Sequence, residues 1–241
     1  MATSPEAIFS PPARLQYSGR DEVPIPDSAV LIHGTLEERS EVDSEWIGRF
    51  SRDYVAHVIE NDGLSSIEVL GYGTGTIRLR VRQELDAFAS KMAGRQVYLD
   101  ITGLSHHVWM PVLRSLLESS VDVLCMYVEP DSYKFNPNPR PGEFFDLSER
   151  IRGLSPIPTF AKLVARAEQK PIFVPLLGFE GVRFRYLVEN IEPSVKDVFP
   201  VVGVPGFRLD YPFHTIEGNA GVLSSTRSWQ QVEYVDAACP F

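Results

Sequence analysis

Cysteine is scarce in this chain: Cys125 lies inside an apolar run and Cys239 near the end, too few for a disulfide framework or a cysteine-based zinc site. No apolar run approaches the roughly 20 residues of a membrane-spanning helix. The opening residues lack a basic start followed by an apolar core, so they do not read as a secretory signal. Together these absences predict a cytoplasmic protein and no membrane contact. Cations also run short, with 23 Lys and Arg against 32 Asp and Glu and a net charge of −9. An extended nucleic-acid footprint needs a surplus of cations and is not expected, although Arg78, Arg80 and Arg82 could form a local basic patch. Neither GxSxG nor HExxH occurs, which argues against a serine-hydrolase elbow and a zinc-hydrolase helix. The adjacent His106 and His107 would point about 100° apart on a helix and cannot readily share one ion. No metal is expected.

What remains is an ordinary globular composition, 44% hydrophobic and 23% charged, on a chain long enough for one α/β domain or two small lobes. Residues 1–27 hold five prolines and read as an extended or disordered leader. From Ser28 the chain alternates. SAVLIHGT reads as a strand, Thr35 as the cap of a helix through Phe50, IEVLGY as a strand, and Leu79 to Met92 as a helix by its 3.6-residue apolar spacing. QVYLDIT, HVWMPVLRSLLESS and VDVLCMYVEP follow as strand, helix and strand. Runs apolar on both faces suggest a buried parallel sheet. The expectation is a Rossmann-like α/β fold, mainly parallel, with helices on both faces, over residues 28–133. KFNPNPRPG, residues 134–142, reads as a proline-rich linker. Residues 143–241 read as a second α/β portion with helices in LSERIRGL, PTFAKLVARAEQ and EGVRFRYLVENI and strands in PIFVPLLGF, VFPVVGVPGF and QVEYVDA. It ends just after a strand, so either that strand closes an edge or the chain is a fragment of a longer protein.

In an open parallel sheet, ligands bind at the carboxyl ends of the strands, where the following turns converge. Helix amino ends there attract phosphate without basic side chains, so an acidic protein can still bind a nucleotide. The candidate ligand-binding residues are Gly34, Thr35 and Arg39; Gly73, Thr74 and Gly75; Asp100, Thr102, Gly103 and His106; Glu129 and Tyr133; and, in the second portion, Gly178, Glu180 and Arg183. Each also has a structural reading. GYGTGT matches neither GxGxxG nor the P-loop and reads equally as a flexible turn. His106 reads as a packed or capping residue, and Glu180 with Arg183 as an i,i+3 ion pair.

DITGLSHH, with its Asp-x-Thr-Gly turn after the third strand of the expected unit, resembles the ligand turn of the CRISPR-associated Rossmann-fold (CARF) sensors and related prokaryotic defence proteins. That resemblance spans about residues 28–133. It implies a sensor or regulatory module that binds nucleotides or oligonucleotides in antiviral defence or signalling. The sequence departs from the family pattern at Leu104, where a second glycine is common, and in lacking a following Lys. Two other readings stay open. Glu37 after the first strand could serve as the catalytic acid or nucleophile of a nucleotide- or NAD-cleaving N-glycosidase or hydrolase. Alternatively, the chain is a structural subunit of a complex. A protein partner or a homo-oligomer is compatible with any of these, and no cofactor is implied beyond the nucleotide itself.

Overall fold

The computed structural model describes residues 15–37, 48–61, 65–140, 143–145, 147, 155–161 and 172–237. The chain divides into two compact units: residues 17–131 with 155–165, and residues 132–154 and 166–241 with 1–16. Among the described residues no helix is long and apolar enough to cross a membrane.

The first unit is built on a six-stranded sheet. Its strands are β1 (Val30–His33), β2 (Val55–Glu60), β3 (Ser66–Gly71), β4 (Gly75–Arg78), β5 (Gln96–Asp100) and β6 (Asp122–Met126), in the order β4-β3-β2-β1-β5-β6. β2, β1, β5 and β6 are parallel, whereas β3 and β4 form an antiparallel extension at one edge. The α/β class and the largely parallel sheet are therefore present.

Alternation along the strands divides the core. Val30 and Ile32, Ala56 and Val58, Ile67 and Val69, and Val97 and Leu99 face helices α1 (Arg82–Ser90) and α2 (His106–Glu118). Those helices contribute Leu85, Phe88 and Ala89, and Val108, Val112 and Leu116, at the spacing that makes one apolar stripe. Each such buried Leu or Phe contributes roughly 1.5–3 kcal/mol. Leu31 and Tyr98 face the other side with Phe50, Val23 and Ile25. The Tyr98 hydroxyl donates to the Pro24 carbonyl, and Arg49 Nη2 donates to the Val23 carbonyl at 2.7 Å. The later part of the expected leader thus lies on the sheet. Both described helices of this unit pack one face, and the other is covered by this segment and Phe50. The helix expected over residues 35–50 falls largely outside the described residues, as do most of LSERIRGL and PTFAKLVARAEQ.

Other differences from the expected elements have local causes. β2 and β4 were not anticipated; β4 pairs with β3, so α1 begins at Arg82 rather than Leu79. β6 forms the edge beyond β5, which is why its apolar run is only partly buried.

In the second unit, residues 135–140 of the expected linker form β7 (Phe135–Arg140), paired antiparallel with β8 (Glu143–Phe145). Residues around Phe173 and Leu176 bridge in parallel to Val198 and Val201, and β9 (Val201–Gly203) pairs in parallel with β10 (Glu233–Val235). Helices α3 (Gly181–Ile191) and α4 (Tyr211–Ser225) supply Phe184, Val222 and Leu223 to a small core with Phe173, Leu177 and Val198.

Candidate functional site

Strand order reverses between β1 and β5: the chain leaves β1 for β2 on one side, and β5 later returns on the other. The turns after β1 and β5 consequently start side by side. In open α/β sheets such a reversal marks the ligand crevice.

These two turns are locked together. A Cβ on Gly103 would lie 2.5 Å from the Gly34 carbonyl oxygen, and one on Gly34 would meet the Gly103 carbonyl just as closely. The Leu36 N–H donates to the Gly103 carbonyl at 3.0 Å. Asp100 closes the second turn through Oδ1, which accepts from the Thr102 N–H at 2.9 Å and the Gly103 N–H at 3.2 Å. The Thr102 hydroxyl oxygen accepts from the Val128 N–H at 2.9 Å and ties the turn to the segment after β6. Asp100 and Thr102 are buried. Gly34, Asp100, Thr102 and Gly103 therefore form the frame of the rim, while Thr35, Glu37 and His106 are its solvent-facing members. His106 packs its ring against Trp109, with centroids 5.4 Å apart.

Glu60, the last residue of β2, is a member of the rim that the sequence reading missed. Its Oε1 accepts from the Ser105 N–H at 2.6 Å, placing a carboxylate at the amino end of α2, where the helix dipole favours it. Ser105 occupies the cap position with extended backbone but makes no side-chain capping bond. The available signal was an acid closing the run VAHVIE, hidden because that run was not read as a strand.

His33 and His57 stand opposite each other in the β1–β2 register, their ring centroids 4.8 Å apart. His33 is buried, and no side chain among the described residues hydrogen-bonds either ring nitrogen. Burial, reinforced by the neighbouring His57, lowers its pKa to about 4, so it is neutral at physiological pH. No group of three or more His, Cys, Asp or Glu among the described residues could hold a metal ion.

Other candidates lie elsewhere. Gly73, Thr74 and Gly75 turn between antiparallel β3 and β4 rather than leading into a helix. Because β3 ends opposite the beginning of β2, this turn sits at the edge away from the rim. It is held there by Lys91, whose Nζ donates to the Gly73 carbonyl at 3.2 Å. Glu129 is half-buried just after β6. Arg39 lies outside the described residues.

Tyr133, Gly178, Glu180 and Arg183 belong to the second unit. Tyr133 joins an aromatic cluster with Phe145, Phe179 and Tyr211. Glu180 Oε1 accepts from the Leu147 N–H at 2.8 Å, and its Oε2 lies 3.3 Å from Arg183 Nε. The Gly178 carbonyl accepts from Asn219 Nδ2 at 2.7 Å.

No known protein family, curated protein or solved structure matches the chain.

Proposed function

We propose that the first unit binds a nucleotide or related phosphorylated small molecule at the carboxyl ends of β1, β2 and β5, and that binding rather than turnover is its primary role. The reading is that of a Rossmann-like sensor or regulatory module of the kind suggested by the Asp-x-Thr-Gly turn. The observation that carries it is the reversal of strand order between β1 and β5, the position at which such sheets hold their ligands. Glu60 adds support, since an acid near the end of the second strand is placed to accept ribose hydroxyls in dinucleotide-binding units. Thr35 and His106 would contact the rest of the ligand, with Gly34, Asp100, Thr102 and Gly103 holding the rim in shape.

Glu60 also constrains the pose. While it accepts from the Ser105 N–H, phosphate cannot take that donor, so the sugar comes to Glu60 and the phosphate lies toward Thr35.

A ligand that binds only the folded state raises the melting temperature by mass action, so a nucleotide panel followed by thermal shift tests the proposal. One nucleotide should raise the melting temperature without being consumed. Glu60→Gln keeps the oxygen that accepts from Ser105 but loses the charge, and should weaken binding about tenfold, equivalent to about 1.4 kcal/mol. The absence of any shift at millimolar nucleotide would refute the reading.

A further inference from the structure

We propose that the second unit carries a separate anion site, a groove that takes a phosphate-bearing small molecule between the segment after α3 and the segment after α4. The groove is an open surface recess of about 520 Å³ lined by Ser194, Val195, Lys196, Arg227, Gln230 and Gln231. These segments follow the carboxyl ends of the two helices and lead back into the parallel strands. The site therefore lies at the amino-terminal edge of that small sheet and uses none of the residues of the β1–β5 rim.

Charge is the first argument. The chain carries a net −9, and many of its arginines are matched with acids: Arg78 with Glu84, Arg82 and Arg114 with Glu118, Arg183 with Glu180, Arg208 with Asp210. Lys196 and Arg227 make no ion pair among the described residues, yet both line this groove, and no carboxylate lines it. Two unmatched cations sharing a recess in an acidic protein leave a local positive field that an anion relieves.

The second argument is donor chemistry. The residues lining the groove carry an ammonium, a guanidinium, two amides and a hydroxyl, and a planar guanidinium fork matches the oxygens of a phosphate. Gln231 Nε2 donates to the Lys196 carbonyl at 3.1 Å and fixes one segment against the other, so Lys196 and Gln231 are held at the same wall. The recess is open and of limited extent, which suits a compact phosphate-bearing anion.

Arg227 follows the last turn of α4 with φ 55°, the left-handed conformation that commonly ends a helix and that glycine adopts without strain.

Calorimetric titration of the full chain with inorganic pyrophosphate at low salt tests the site. Saturable binding is expected, weakened about tenfold by Lys196→Ala and about tenfold by Arg227→Gly, and lost in the double variant. Arg227→Gly relieves the backbone while removing the guanidinium, so its melting temperature should hold or rise and its loss of binding cannot be attributed to unfolding. Absence of saturable heat, equal affinity in the double variant, or preference for an oligoglutamate peptide over pyrophosphate would each overturn the proposal. The β1–β5 rim is untouched by these variants, so failure here leaves the nucleotide reading standing.

Discussion

Both units press glycine against glycine, but they do so with different parts of the chain. In the first unit the contact joins two strand-following turns, Gly34 and Gly103, and a buried carboxylate, Asp100, ties one turn shut. In the second, Gly181 at the start of α3 meets Gly218 in the middle of α4. A buried amide, Asn219, ties the crossing by donating to the Gly178 and Thr215 carbonyls at 2.7 and 2.8 Å. The same residue type thus builds a rim in one place and a helix crossing in the other. Glycine near a strand end is evidence of close backbone approach before it is evidence of a ligand.

The largest expected effect comes from filling the helix crossing. A Cβ on Gly218 would meet the Phe179 carbonyl, and one on Gly181 the Gly218 carbonyl, both backbone atoms that cannot step aside. Gly218→Ala should therefore destabilise the second unit by about 3 kcal/mol or more, the upper end for overpacking, with hydrogen exchange accelerated in α4 while α2 stays protected. Equal loss of protection in both helices would show that the units do not respond separately. Gly103→Ala should cost the first unit about 1–3 kcal/mol and produce the opposite exchange pattern.

A pH titration separates the units further. The folded pKa of His33 is lowered to about 4 from 6.5, so the unfolded chain binds this proton first. Its contribution to stability is intact above pH 6.5 and is lost as pH falls toward 4, by roughly 3 kcal/mol in all. Denaturant melts of the wild type and His33→Leu across that window should diverge by this amount in α2 protection, with the second unit unaffected. Parallel curves would remove the histidine from the account.

The smallest effects should come from the polar ties. Asn219→Ala takes the side-chain donor from the Gly178 carbonyl, while the Thr215 carbonyl keeps its partner within α4, and should cost about 1–2 kcal/mol. Thr102→Val leaves the Val128 N–H without its acceptor and should cost about 1 kcal/mol. Exchange at the tied carbonyl's own segment is the readout, and a larger cost for Thr102 than for Asn219 would reverse the ranking.

Much of the fold was legible because apolar residues mark it: β1, β3, β5 and β6 fall in short apolar runs read as strands, α1 falls in the segment with 3.6-residue spacing, and α2 and α3 overlap segments read as helices. β2 was missed because His57 and Glu60 interrupt its apolar pattern; the sheet, not the segment, makes it a strand. α4 was missed for a related reason. Gly218 and Gly221 are poor helix residues, and the helix depends on the close packing that Gly218 permits. At the site, the turns after β1 and β5 were anticipated as neighbours, since strand topology alone brings them together. The Gly73–Gly75 turn was assigned to the same rim because β4 was not foreseen, and pairing with β3 carries it to the far edge. Glu60 became visible only with β2.

The central claim is that the β1–β5 rim is a nucleotide site. Hydrogen exchange with and without the nucleotide giving the largest thermal shift tests it most directly. Protection confined to residues 33–37, 58–60 and 101–107 is the predicted result; no protection there, or protection appearing only around residues 73–75 or in the Lys196 and Arg227 groove, would contradict it.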